Sequence, residues 1–208
     1  MAARRNRRYE VVNITLYVEG GGDLKARCRE GFRKFLEKAG LEGQMPRIVA
    51  CGSRENAFDS FEIALRAGNS IPMLLVDAEV PLEAANRWEH LRQEDGWNRP
   101  DGAGDAHCHL MVQVMETWFL ADTDALASFY GNGFRANALP GNPRVEEIRK
   151  DDVLKGLGRA SRESKKRSYD KGSHSFKILG TINPSLVESA APSAKVFLDV
   201  LRAGGPKP

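Results

Sequence analysis

Apolar residues come in short blocks separated by glycine-rich turns, and the blocks alternate between two periods. Val11 to Val18 (VVNITLYV) is rich in β-branched residues and runs into three glycines, which predicts a buried strand. The next block has helical spacing. Phe32, Phe35 and Leu36 share one face of a helix that Asp23 is placed to cap and Gly40 to stop. Arg47 to Cys51 predicts a second strand. Asn56 to Ala67 predicts a second helix, with Phe58, Phe61, Ile63 and Leu65, closed by Gly68. Ile71 to Val76 is almost wholly apolar, as a parallel strand covered on both faces should be. This β-α-β-α-β order with short loops argues for a parallel sheet with right-handed crossovers.

Further along the periods are less regular. A short helix is expected around 82–93, followed by an exposed loop containing Pro100, Gly102 and Gly104. His109 to Leu120 predicts a fourth, long apolar strand, and Asp122 to Tyr130 a helix. After Gly131 turn residues become dense. A helix over 145–160, a polar and basic stretch over 161–175, two short apolar pieces and a last helix over 192–201 follow. The expected organisation is a core over 1–130 and a mostly helical extension over 131–208 packed on it.

Composition adds constraints rather than function. With 208 residues, 41% hydrophobic and 28% charged, the chain is an ordinary globular one. No apolar run reaches the length of a membrane span, and MAARRNRR lacks the apolar stretch of a signal peptide, so no membrane role and a cytoplasmic location are expected. Cys28, Cys51 and Cys108 have no zinc spacing. His107, Cys108 and His109 read as a loop entering a strand. The net charge is only +3, but basic residues are uneven. They gather in MAARRNRR and again at Arg159, Arg162, Lys165, Lys166, Arg167, Lys171 and Lys177, where they could attract phosphate backbones.

Four acids change the picture. Glu19 and Asp23 flank the glycines that end the first strand, and Asp77 and Glu79 follow the third. Strand ends of a parallel sheet lie at its ligand-binding edge. An Asp-x-Glu after a buried strand places two carboxylates on one side of an extended segment, where a divalent cation would relieve their repulsion. Hard oxygen donors suit Mg²⁺ or Mn²⁺. The turn VEGGGD is neither a Walker A loop nor a dinucleotide fingerprint. Glu116, an acid inside an apolar run, is expected to be an outer ligand or to pair with an arginine such as Arg54.

Glu19 in a V-E-G-x-x-[DE] turn, with D-x-[DE] after the third strand, resembles the TOPRIM fold of topoisomerases, primases, recombination-repair proteins and overcoming-lysogenization-defect nucleases. The later motifs HLMVQVMETWFLAD, FYGNGF and YDKGSHSFKIL resemble more narrowly the bacterial domain-of-unknown-function family 4276, a TOPRIM-like group with some members near phage-defence genes. The resemblance implies a Rossmann-like α/β fold and a metal-dependent phosphodiesterase (nuclease) acting on nucleic acid in phage defence, with an ATPase partner. Glu19, Asp23, Asp77 and Glu79 would be the metal ligands. Lys171 and His174 would join Glu19 and Asp77 in catalysis, and Arg54, Arg159, Arg162, Lys165, Lys166 and Lys171 would contact the nucleic acid. This chain has D-x-E where D-x-D is commoner. The alternative is a non-catalytic module that binds nucleic acid or a partner protein.

Overall fold

The computed structural model describes residues 13–206. The basic N-terminal segment and the first residues of the expected opening strand lie outside them. Four parallel strands, β1 (Ile14–Glu19), β2 (Arg47–Gly52), β3 (Ile71–Asp77) and β4 (Cys108–Met111), form one sheet in the order β2-β1-β3-β4. Helices α1 (Lys25–Leu36) and α2 (Arg54–Ala67) make the first two crossovers, and α3 (Arg87–Asp95) the third. Then come α4 (Thr123–Tyr130), α5 (Lys150–Ser161), α6 (Lys171–Leu179), α7 (Pro184–Ala190) and α8 (Pro192–Arg202). The α/β class with a parallel sheet flanked by helices is as expected.

The sheet divides the interior into two cores. Successive side chains of a strand face opposite ways. In β3, Met73 and Leu75 enter a core with Phe32, Phe35, Trp118 and Phe197, while Leu74 and Val76 enter another with Phe58, Phe61, Trp88 and Leu110. That is why β3 shows no alternation: both of its faces are covered. The C-terminal helices contribute to the first core through Leu157, Ile178, Val187, Leu198 and Leu201. Gly31 of α1 lies against α6. A methyl at Gly31 would come within 2.5 Å of the Phe176 carbonyl oxygen, so only glycine allows that approach.

Three expectations change. The fourth strand ends at Met111, and Met115–Ala121 is a 3-10 helix. Both segments are buried, and an apolar run alone does not separate a buried strand from a buried helix. Asp23 does not cap α1: it lies in the 3-10 turn Gly22–Leu24, and the residue before α1 is Leu24, with no side-chain cap. The third helix starts only at Arg87, where the Asn86 side chain accepts from the Glu89 amide. Ser53 and Asp122 cap α2 and α4 in the same way. The three cysteines are buried and unpaired, and His107 and His109 bond to backbone groups. Among the described residues no helix is long and apolar enough to cross a membrane.

Candidate metal centre

Glu19 closes β1 and Asp77 closes β3, and these strands are neighbours. Both acids therefore emerge together at the carboxyl edge of the sheet. Glu19 leans across, and its Oε2 accepts the Asp77 amide at 3.0 Å. Asp77 Oδ1 accepts the Met115 amide at 2.8 Å, which ties it to the 3-10 helix. Glu79 arrives by a bend rather than by continued strand. Its φ is 68°, uncommon for a non-glycine residue. Its amide donates to the Gln113 carbonyl at 2.7 Å, which holds the bend in place. One carboxylate oxygen each from Glu19, Asp77 and Glu79 then lie within 4.8 Å of one another.

Such a cluster is electrostatically unfavourable on its own. The Asp77 carboxyl is held well above its ordinary pKa, first by burial and then by the charge of Glu19. Burial also raises Glu19, only partly offset by the Asp77 amide and Arg54. Among the described residues three side-chain cations stand by the acids. Arg54 is bidentate to Asp95 at 2.7 and 2.6 Å, donates to the Asp77 carbonyl, and lies 3.6 Å from Glu19. The Lys150 ammonium donates to the Glu79 carboxylate. Lys171 Nζ stands 3.6 Å from Asp77 Oδ2 and 3.8 Å from Glu116 Oε1. Burial works against the Lys171 charge, but Glu116, Asp77 and Glu19 outweigh it and raise its pKa.

Glu116 is fully buried. It pairs with Tyr169, whose hydroxyl donates to Oε1 at 2.6 Å, and with Lys171, not with Arg54. Its Oε2 has no hydrogen-bond partner among the described residues. The three carboxylates offer a set of hard oxygen donors, so Glu19, Asp77 and Glu79 could hold a metal ion.

The remaining expected residues fall elsewhere. Asp23 is exposed and does not join the three acids, because the chain turns at Gly20 and Gly21, both with positive φ. His174 is not brought to the carboxylates by any hydrogen bond. Its Nδ1 accepts the Asp170 amide at 3.2 Å and lies 3.2 Å from the Tyr130 hydroxyl, and burial lowers its pKa. It steadies the start of α6, where the Asp170 side chain caps the helix and Lys171 is the first residue. Arg54 spends its donors inside the protein and does not present a phosphate-binding surface. Arg159, Arg162, Lys165 and Lys166 are exposed and have no ion-pair partner among the described residues. Sequence reasoning did not find Lys150, Asp95 or Tyr169. Tyr169 alone had a signal, since it opens the run YDKGSH.

Residues 18–202 match the family described as Domain of unknown function (DUF4276), and the chain belongs to that family. No curated protein and no solved structure matches the chain.

Proposed function

We propose that this protein is a metal-dependent phosphodiesterase acting on nucleic acid, with Mg²⁺ or Mn²⁺ held by Glu19, Asp77 and Glu79. The convergence of these three carboxylates at the sheet edge carries the reading. When bound, the ion supplies charge compensation at a phosphoryl group and a water of lowered pKa. The chain's own residues do the rest. The Met115 amide and Glu19 fix the Asp77 carboxyl in orientation. Lys171 keeps an ammonium beside the acids and is exposed enough to turn to a phosphate oxygen. The Glu116 carboxyl group, accepting from the Tyr169 hydroxyl, stands behind that ammonium. The exposed cations from Arg159 to Lys166 attract the backbone without reading sequence.

A non-catalytic module is the rival reading, favoured by one observation: Lys150 and Lys171 already offset charge on Glu79 and Asp77. Titration calorimetry with Mn²⁺, beside a cleavage assay on single- and double-stranded DNA and RNA, separates the two. Asp77→Asn should abolish most Mn²⁺ binding and lower cleavage more than about a hundredfold, beyond the loss typical of residues that only support ligands. Full cleavage by a well-folded Asp77→Asn protein, or no Mn²⁺ binding by the wild type at millimolar metal, would defeat the catalytic reading.

A further inference from the structure

A second concave site lies between α1 and α6. It encloses about 320 Å³, at the small end for ligand sites. Phe129 and Phe176 give it two half-buried phenyl rings, and Arg27, Lys34 and Lys177 stand around them. Glu30 is the one acid in the lining, and it is bonded to Lys34 at 2.7 Å. Arg27 and Lys177 have no ion-pair partner among the described residues. The cleft therefore carries surplus positive charge beside aromatic surface.

Its two ends connect to features already described. At one end Lys166 Nζ sits 4.9 Å above the Phe129 ring, so the basic stretch reaches the cleft through that residue. At the other end the Phe176 ring lies against Gly20, where a Cβ would meet it at 3.3 Å. Gly20 directly follows Glu19. Phe176 also sits five residues after Lys171 on α6, about 7–8 Å along the helix axis. That is roughly two stacked nucleotides at about 3.4 Å each.

Packing alone accounts for part of this, since both rings touch the first core. It does not account for the cations Arg27 and Lys177, without ion-pair partners among the described residues, in the same lining. A flat, polarisable group with a phosphate attached matches both features: the ring faces accept stacking, and the cations accept the anion. A base within a duplex has both faces covered by its neighbours and cannot stack on a side chain unless it is unstacked.

We infer that the α1–α6 cleft binds an unpaired nucleotide of the strand presented to the acid cluster, with its base on Phe129 and Phe176 and its phosphate on Arg27 and Lys177. The inference rests on the nucleic-acid reading above and narrows the substrate to single-stranded or locally unpaired nucleic acid.

Fluorescence anisotropy in EDTA tests this without any metal-dependent step. The probes are a twelve-nucleotide thymidine strand, an abasic backbone of equal length, and a blunt duplex of equal length. The wild type should bind the thymidine strand at least about tenfold more tightly than the abasic one. Phe129→Leu, which keeps apolar bulk, should shrink that preference to less than about twofold. Lys177→Glu and Arg27→Glu should weaken both strands alike and flatten the salt dependence. Phe176→Leu, checked for an unchanged melting temperature, should act as Phe129→Leu does. Equal binding of thymidine and abasic strands, tighter binding of the duplex, or full base preference in both Phe variants would overturn the inference. Mn²⁺ calorimetry on the same proteins, freed of EDTA, reads the acid cluster separately. A wild type without base preference but with intact Mn²⁺ binding and cleavage therefore refutes the cleft alone, while loss of the preference in the Phe variants with both intact supports it.

Discussion

Arg54 and Lys171 both stand at the acid cluster, Arg54 beside Glu19 and Lys171 beside Asp77, and they are held very differently. Arg54 has a side chain only 15% exposed, two short bonds to Asp95, and its guanidinium 5.3 Å from the Trp97 ring centroid. Lys171 is 61% exposed and comes no nearer than 3.6 Å to any acid among the described residues. One cation is built into the wall, and the other is parked in the opening. The positive charge that stabilises the folded cluster is thus distinct from the charge a ligand can displace.

The largest effect should come from the fixed side. Arg54→Met strands the Asp95 carboxylate and removes a partner of Glu19, and should cost about 3–5 kcal/mol in urea denaturation. Adding Asp95→Asn should return part of that loss. If the double variant is as unstable as the single one, Arg54 is not acting as a buried pair.

Tyr169→Phe comes next. It leaves the buried Glu116 with Lys171 alone at 3.8 Å, and should cost about 2 kcal/mol, the scale of a hydrogen bond to a charged group. A loss below a few tenths would mean that Glu116 is satisfied by something other than the phenol.

Lys171→Met should be milder in stability, below about 1 kcal/mol, because its pairs are solvent-screened. Its signature lies in metal affinity. Removing a competing charge about 4 Å from the acids should tighten Mn²⁺ binding roughly fivefold, whereas Arg54→Met should not tighten it. Equal tightening in both variants would erase the contrast.

The smallest test is a slope. Asp77 and Glu19 have raised pKa values in the folded state. The native protein therefore keeps protons that the unfolded chain has released, and this contribution is full below the ordinary carboxylate range. It is lost as pH rises through the raised values, so melting temperature in EDTA should fall across that window. Asp77→Asn should flatten the fall. Lys171→Met should deepen it, since Lys171 favours the ionised form of Asp77. A fall unchanged by both substitutions would place its origin elsewhere.

Much of the N-terminal half could be read from sequence because its signals are local. β1 and β3 are apolar runs that stop at an acid, and that conjunction put Glu19 and Asp77 at one edge. Glu79 was paired with Asp77 for a different reason from the actual one: an extended Asp-x-Glu was expected, and a left-handed bend pinned by Gln113 does the work. Lys150 meets Glu79 across 71 positions of chain, a pairing with no local pattern to announce it. The misjudged length of the fourth strand has a related cause. Trp118 and Phe119 are as buried in a 3-10 helix as they would be in a strand, so apolarity could not tell the two apart.

The glycine in α1 has a reach beyond its own helix. Gly31 lets the backbone of α6 come within one missing methyl group of α1, so the spacing of the two helices is set by an absence. Lys171, Tyr169 and Phe176 all ride on α6 or just before it. A Gly31→Ala change would act as a shim, moving the ammonium, the phenol and the cleft floor together relative to the strand-borne acids. The gap at residue 31 thereby serves as the gauge that keeps two distant stretches of the chain in adjustment.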